Sequence, residues 1–131
     1  MTRFCIALVL ATTFCGGLLM ARGEEEAKSG RVLRHAVFFK FKPSVGKEQI
    51  DEVVRAFAAL PKRIDAIEDF EWGTDVSVEN KSKGFTHAFL VTFASKEARD
   101  KYLPHPAHQA FVKLVGPRVE DVFVVDYWAK E

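Results

Sequence analysis

Polar and apolar positions alternate with a period of two through residues 33–42. Leu33, His35, Val37, Phe39 and Phe41 fall on one side, and Arg34, Ala36, Phe38, Lys40 and Lys42 on the other. Successive side chains of a strand point to opposite faces, so this pattern predicts a first β-strand. Pro43, Ser44, Val45 and Gly46 then read as a turn. From 47 to 60 the period changes: Ile50, Val53, Val54, Phe57 and Leu60 recur at helical spacing until Pro61 ends the run. One further turn is expected over 62–67. A second strand is predicted over 70–78, with Phe70, Trp72, Val76 and Val78 opposite Glu71, Asp75, Ser77 and Glu79. The polar stretch 80–84 reads as a hairpin loop. A third strand follows over 85–93, with Phe85, His87, Phe89, Val91 and Phe93 on one face and Ala88, Leu90 and Thr92 on the other. Ser95 offers an N-cap for a helix over 96–102, Pro104 interrupts it, and Pro106 suits the first position of a new helix. That helix carries Ala110, Phe111, Leu114 and Val115 and ends at Gly116-Pro117. The last strand, 119–128, puts Val119, Phe123, Val125 and Tyr127 on one face, and Val122, Val124 and Trp128 on the other.

The order strand, helix, strand, strand, helix, strand implies an α+β domain, β-α-β-β-α-β, with an antiparallel sheet and helices on one side. Two helical regions cover one sheet face only, yet strands one, three and four carry large apolar side chains on both faces. Phe38, Leu90, Val122, Val124 and Trp128 are expected to form one contiguous patch, which in water invites association. At roughly 25 cal/mol per Å² of apolar surface, such residues supply ~10 kcal/mol or more of gross burial before association costs. The expected partner is therefore a second copy of the chain, in a homodimer.

Length and composition narrow the class. The 131 residues make one ordinary domain, with 48% hydrophobic and 28% charged positions and 12 phenylalanines as a rich supply of core. Disordered, collagenous, disulfide-scaffold and repeat classes are excluded on these values. The stretch 1–23 reads as a secretory signal peptide: Arg3 is the positive start, 4–20 is uncharged and mostly apolar, and Ala21-Arg22-Gly23 supplies small residues before Glu24-Glu25-Glu26. The alternatives are an uncleaved membrane anchor, for which the apolar run is short, and a lipoprotein through Cys15, for which Phe14 is too bulky. Residues 24–32 read as a flexible lead-in, and 33–129 as the domain.

An exported chain cut near Gly23 loses Cys5 and Cys15, both of its cysteines, so no disulfide, thiolate nucleophile or cysteine metal site remains. It also loses Arg3 and Arg22, so 19 basic residues less two leave 17 against 18 acidic ones, a net charge of −1. That balance gives no reason to expect a nucleic-acid partner. A membrane partner is expected only if the leader stays uncut.

Four histidines could carry chemistry: His35, His87, His105 and His108. His35 and His87 lie in strands among Val and Phe. They read either as buried imidazoles satisfied by a hydrogen bond or as pocket residues. In Tyr102-Leu103-Pro104-His105-Pro106-Ala107-His108, His105 caps the restarted helix and His108 projects from its first turn. An imidazole there is suited to general-base work, and Tyr102 a turn earlier to polarising a carbonyl oxygen. The plainer alternative is a tight double-proline turn that the imidazoles merely cap. No histidine pair has the i, i+4 spacing of zinc enzymes, so neither a metal nor another cofactor is expected. Lys83-Gly84 is an isolated glycine turn rather than a phosphate loop. Lys40 and Lys42 read as a solvated edge, and Trp72 as core or pocket wall.

Four segments together resemble the stress-responsive A/B barrel (Dabb) family. They are His35-Ala36-Val37-Phe38-Phe39-Lys40-Phe41-Lys42, Trp72-Gly73-Thr74-Asp75-Val76, Gly84-Phe85-Thr86-His87, and the histidine–proline segment from Tyr102 to His108. The resemblance covers about 33–128 and implies a ferredoxin-like fold with a four-stranded antiparallel sheet, two copies of which join as a dimeric α/β barrel. The family includes plant stress-associated proteins and a plant polyketide cyclase that closes a ring by aldol condensation without a metal or organic cofactor. By that resemblance the cyclase's catalytic histidine falls on His108 and its catalytic tyrosine on Tyr102. His35 and His87 fall on pocket histidines, and the expected pocket is lined by His35, His87, Trp72 and Phe39. The first helix departs from the cyclase in its small Ala56, Ala58 and Ala59. An exported protein does not meet coenzyme A thioesters, so the cyclase's own reaction is not expected. Two functions remain. One is a stress-related dimer that binds a small apolar or aromatic molecule in an intramolecular pocket. The other is a cofactor-independent enzyme on a carbonyl compound, with His108 as base and Tyr102 as polarising donor. A scaffold role in larger oligomers rests on the apolar sheet face alone.

Overall fold

A computed structural model describes residues 31–130. The expected leader over 1–23 and most of the lead-in over 24–32 lie outside the described residues. Within them the chain runs β1 (Leu33–Phe41), α1 (Lys47–Ala58), β2 (Asp69–Thr74), β3 (His87–Phe93), α2 (Lys96–Tyr102), α3 (Pro106–Val115) and β4 (Val119–Trp128). The four strands form one antiparallel sheet in the order β2-β3-β1-β4, so β1 is central and β4 is an edge.

The helix starts obey local chemistry. Ser95 Oγ accepts the Ala98 N–H at 3.1 Å, and His105 Nδ1 accepts the Ala107 N–H at 3.0 Å, each filling an orphan donor of a first turn. Gln49 reaches back to the Gly46 N–H at the start of α1. Pro61 follows the end of α1 within a short 3-10 turn, Leu60–Lys62, and the further turn expected within 62–67 is present, closed by the Ile67 N–H donating to the Ile64 carbonyl at 3.1 Å. Gly116 precedes Pro117 in a helical conformation, which residues with a Cβ disfavour before proline.

Two strand ends differ from the pattern. β2 stops at Thr74, and Val76 and Val78 lie in solvent. Asp75 Oδ1 accepts the Ser77 N–H and Ser77 Oγ accepts the Glu79 N–H, so short polar side chains draw the backbone into turns against the alternation. β3 starts two residues later than Phe85, after a loop with left-handed Asn80, Lys83 and Gly84. Gly84 also lies over the Lys40 stem, too close for a Cβ. Lys40 itself is on a central strand and pairs with Glu120 at 3.2 Å, rather than lining a solvated edge.

All helices pack on the face formed by Leu33, His35, Val37 and Phe39 of β1 and by Phe89, Val91 and Phe93 of β3. Phe57 is the centre of the core, with ring centroids 4.5 Å from Phe89, 4.5 Å from Phe111 and 5.2 Å from Phe70. Pairing across the sheet corrects the expected grouping of β4. Phe38 stands opposite Phe123, whereas Val37 stands opposite Val124, Phe39 opposite Val122 and Leu33 opposite Trp128. Val122, Val124 and Trp128 therefore share the helix-covered face, not the face of Phe38 and Leu90. The uncovered patch is built instead from Phe38, Leu90, Phe123, Val125 and Tyr127, the last three 40–54% exposed. A register shift between Lys40 and Phe41 brings Val119 opposite Phe41 and so to the helix side, away from Phe123.

Phe57 has stacked rings on several sides and 1% exposure, so Phe57→Ala leaves a cavity its neighbours cannot close. Denaturant unfolding should show a loss of about 3–5 kcal/mol.

Candidate functional site

Between the β1–β4 half of the sheet and α3 lies a cavity of about 440 Å³. Its wall is graded in polarity. Phe39, Phe57, Phe111, Val115, Val119 and Val122 form an apolar end, while His35, Tyr102, His108 and Asp126 gather at the other. Leu103, Val112, Val122 and Val124, each 40–48% exposed, also line the cavity and are its solvent-facing residues.

The polar end is built from four elements. β1 presents His35 because its parity puts that residue with Val37 and Phe39. β4 presents Asp126, directly opposite His35 in the register. The two side chains meet at 2.6 Å, His35 Nδ1 to Asp126 Oδ1, and Arg99 Nη1 of α2 donates to Asp126 Oδ2 at 2.8 Å. Burial alone would raise the Asp126 carboxyl, but the hydrogen bonds from His35 and Arg99 win and hold it below the usual carboxylate range.

Tyr102 closes α2 and is fully buried, with its ring 5.8 Å from His35 and 4.3 Å from His108. Its hydroxyl has no hydrogen-bond partner among the described residues. Leaving such a group unpaired costs about 1–3 kcal/mol, and burial pushes the phenol well above its ordinary value, so it stays a neutral donor. His108 sits in the first turn of α3. Its Nδ1 lies 2.8 Å from the Leu103 carbonyl oxygen, which only accepts, so Nδ1 carries the hydrogen. Nε2 is then the lone-pair nitrogen of the neutral ring. Burial pushes His108 below its ordinary value; the bond to Leu103 opposes this, and the nearby His35 and His105 rings add to it. A neutral base therefore lies beside an unpaired hydroxyl donor in an apolar chamber.

The structure brings His35, Phe39, Tyr102 and His108 to one cavity, with Val122 and Val124 as wall residues rather than outer-face ones. It does not bring His87 or Trp72 there. Those two stack parallel at 6.4 Å on the β2–β3 side, and the Phe41 ring meets His87 edge-on at 5.2 Å. From α1 only Phe57 reaches the cavity; Ala56, Ala58 and Ala59 do not line it. Asp126 and Arg99 are additions. A signal for Asp126 existed: it has the same parity as Val122, Val124 and Trp128, so an acid stands on an inward face. Among the described residues no three His, Cys, Asp or Glu side chains converge as a metal site.

Residues 33–129 match the family model described as the stress responsive A/B barrel domain. The chain is 41% identical over 103 residues to stress-response A/B barrel domain-containing protein HS1 of Arabidopsis thaliana, covering 79% of this chain and 93% of that protein. It is 35% identical over 95 residues to olivetolic acid cyclase of Cannabis sativa, covering 72% and 94%. Among solved structures, hydroxynitrile lyase from Passiflora edulis superposes with a TM-score of 0.74 at 30% identity, covering 78% and 96%. A dimeric protein of ferredoxin-like fold from Bacteroides fragilis, of unknown function, superposes at 0.62 with 26% identity, covering 75% and 96%. The expected ferredoxin-like architecture is thus present in this chain and in its neighbours.

Because folding lowers the His108 value from 6.5, the unfolded chain binds more protons than the folded one just below that pH. His87, also pushed down by burial, acts in the same sense. Stability should be full above about pH 6.5 and fall as the pH drops toward the folded-state values. Denaturant midpoints measured from about pH 7.5 to about pH 5 should show this slope, and His108→Gln should flatten it.

Proposed function

The chain belongs to the stress responsive A/B barrel domain family, and we propose that it is a homodimer acting by proton transfer on a small, uncharged, apolar or aromatic carbonyl compound. The observation that carries this reading is the buried, unpaired hydroxyl of Tyr102, whose ring packs 4.3 Å from that of His108, centroid to centroid. A carbonyl oxygen in the cavity would take the Tyr102 hydrogen bond. His108 Nε2 would take a proton from the adjacent carbon, the C–H electron pair moving into an enolate whose oxygen stays on Tyr102. The proton held on His108 then returns to carbon as the enolate collapses back to the carbonyl. Every part of this step is a side chain of the chain itself. The cavity wall contains no Lys or Arg and does contain Asp126, which disfavours an anionic ligand. Relatives that are a cyclase and a hydroxynitrile lyase support an enzymatic use of the scaffold.

The dimer rests on the uncovered strip of Phe38, Leu90, Phe123, Val125 and Tyr127, and on the dimeric state of a structural neighbour. Export belongs to the same proposal and rests on the uncharged stretch over 4–20 followed by Ala21-Arg22-Gly23. Simple binding without turnover is the competing use of the same cavity.

Deuterium exchange into phenylacetone in heavy water separates the two. The wild type should exchange the carbon acid above the buffer rate, with Tyr102→Phe and His108→Asn each slower by roughly 100- to 10,000-fold. Saturable phenylacetone binding without exchange would leave the binding reading in its place. In sedimentation at micromolar concentration the wild type should be a dimer and Phe123→Glu a monomer; a monomeric wild type would defeat the assembly proposed.

A further inference from the structure

The Asp126 carboxylate is held from two sides, and only one of its partners lines the cavity. Oδ1 faces His35 Nδ1, and Oδ2 faces Arg99 Nη1. We propose that Arg99 is a positioning residue of the site: through Asp126 it keeps the proton of His35 on Nδ1 and turns Nε2 toward the bound molecule. The proposal deepens the reading of this cavity as a reaction site and rests on it for its functional meaning.

A carboxylate in a mostly apolar wall would tend to take a proton or swing toward water. Arg99 carries a permanent charge and a planar fork of donors, which meets Asp126 with Nη1 while Nε and Nη2 grip Asp100 at 3.2 and 3.0 Å. With one oxygen occupied by a cation, Asp126 remains an acceptor only, so the hydrogen in the 2.6 Å contact belongs to the imidazole. The pair is also sheltered: the Arg99 and Asp126 side chains are 20% and 26% exposed, against 87% and 42% for the surface pair Lys47–Asp51. Surface pairs of that kind contribute little, whereas a sheltered one can govern a neighbour's orientation. Arg99 and Tyr102 lie three apart on α2, hence on one helix face, so the same contact joins the helix carrying the hydroxyl donor to the strands carrying His35 and Asp126.

The test is nitrogen NMR of the histidine side chains in the folded full chain, without any ligand. In the wild type His35 should show hydrogen on Nδ1 only. Asp100→Ala, which frees the other arm of the guanidinium, should leave that pattern unchanged. Arg99→Gln should give a mixture of both tautomers, and Arg99→Lys should restore the Nδ1 form at least in part. A folded Arg99→Gln variant with the wild-type His35 pattern would overturn the proposal. So would a wild-type His35 whose neutral ring carries its hydrogen on Nε2, an outcome that needs no variant to fold. Because the readout requires no turnover, failure of phenylacetone exchange would count against the reaction while this result is decided separately.

Discussion

The pairing of β1 with β4 governs both the site and the outer surface of this protein. Side chains alternate along a strand, so a shift of one residue in that register would exchange every β4 side chain between the two faces. In the observed register Asp126 meets His35, Val122 and Val124 become cavity wall, and Phe123, Val125 and Tyr127 face outward. The irregularity between Lys40 and Phe41 adds a second effect, since it turns Val119 inward and closes the apolar end of the cavity. One ladder of backbone hydrogen bonds therefore decides which residues can touch a ligand and which can touch a partner.

Packing then leaves the cavity open. Phe57 wedges α1 against Phe89 and Phe111, concentrating the filled core toward the β2–β3 side. On the β1–β4 side α3 stands over the sheet with space beneath it, and the short α2 delivers Tyr102 to the edge of that space. The unpaired hydroxyl there works against stability, which is how strain and unsatisfied groups commonly gather at functional sites. The Arg99–Asp126–His35 contacts act in the opposite direction, giving both oxygens of Asp126 and Nδ1 of His35 a partner. The polar end thus combines the hydrogen-bonded Arg99–Asp126–His35 frame with one unpartnered donor beside a neutral base.

The two faces of the sheet have different roles. Helices cover one, and their incomplete coverage makes the chamber. The other carries an apolar strip too continuous for water, which in a four-stranded sheet has no helix left to shelter it. The proposed second copy would cover that strip, whose β4 members are Phe123, Val125 and Tyr127.

The sequence by itself determined the element order, the capped helix starts at Ser95 and His105, the faces of β1, and the convergence of Tyr102 and His108 in one short segment. These are local properties: alternation, capping and proline placement act within a few residues and are legible along the chain. Asp126 shares the parity of Val122, Val124 and Trp128 along the chain, but parity alone says neither which of the two faces turns inward nor which residue answers the acid. Only the tertiary structure decided that His35, Asp126 and Arg99 form one linked set, that His87 and Trp72 belong to another part of the sheet, and that Val122, Val124 and Trp128 face the helices. Those facts depend on strand register, on a one-residue irregularity and on contacts across 27 and 91 positions of chain. Periodicity within a single segment carries no information about its pairing partner, so long-range register had to be supplied by the fold.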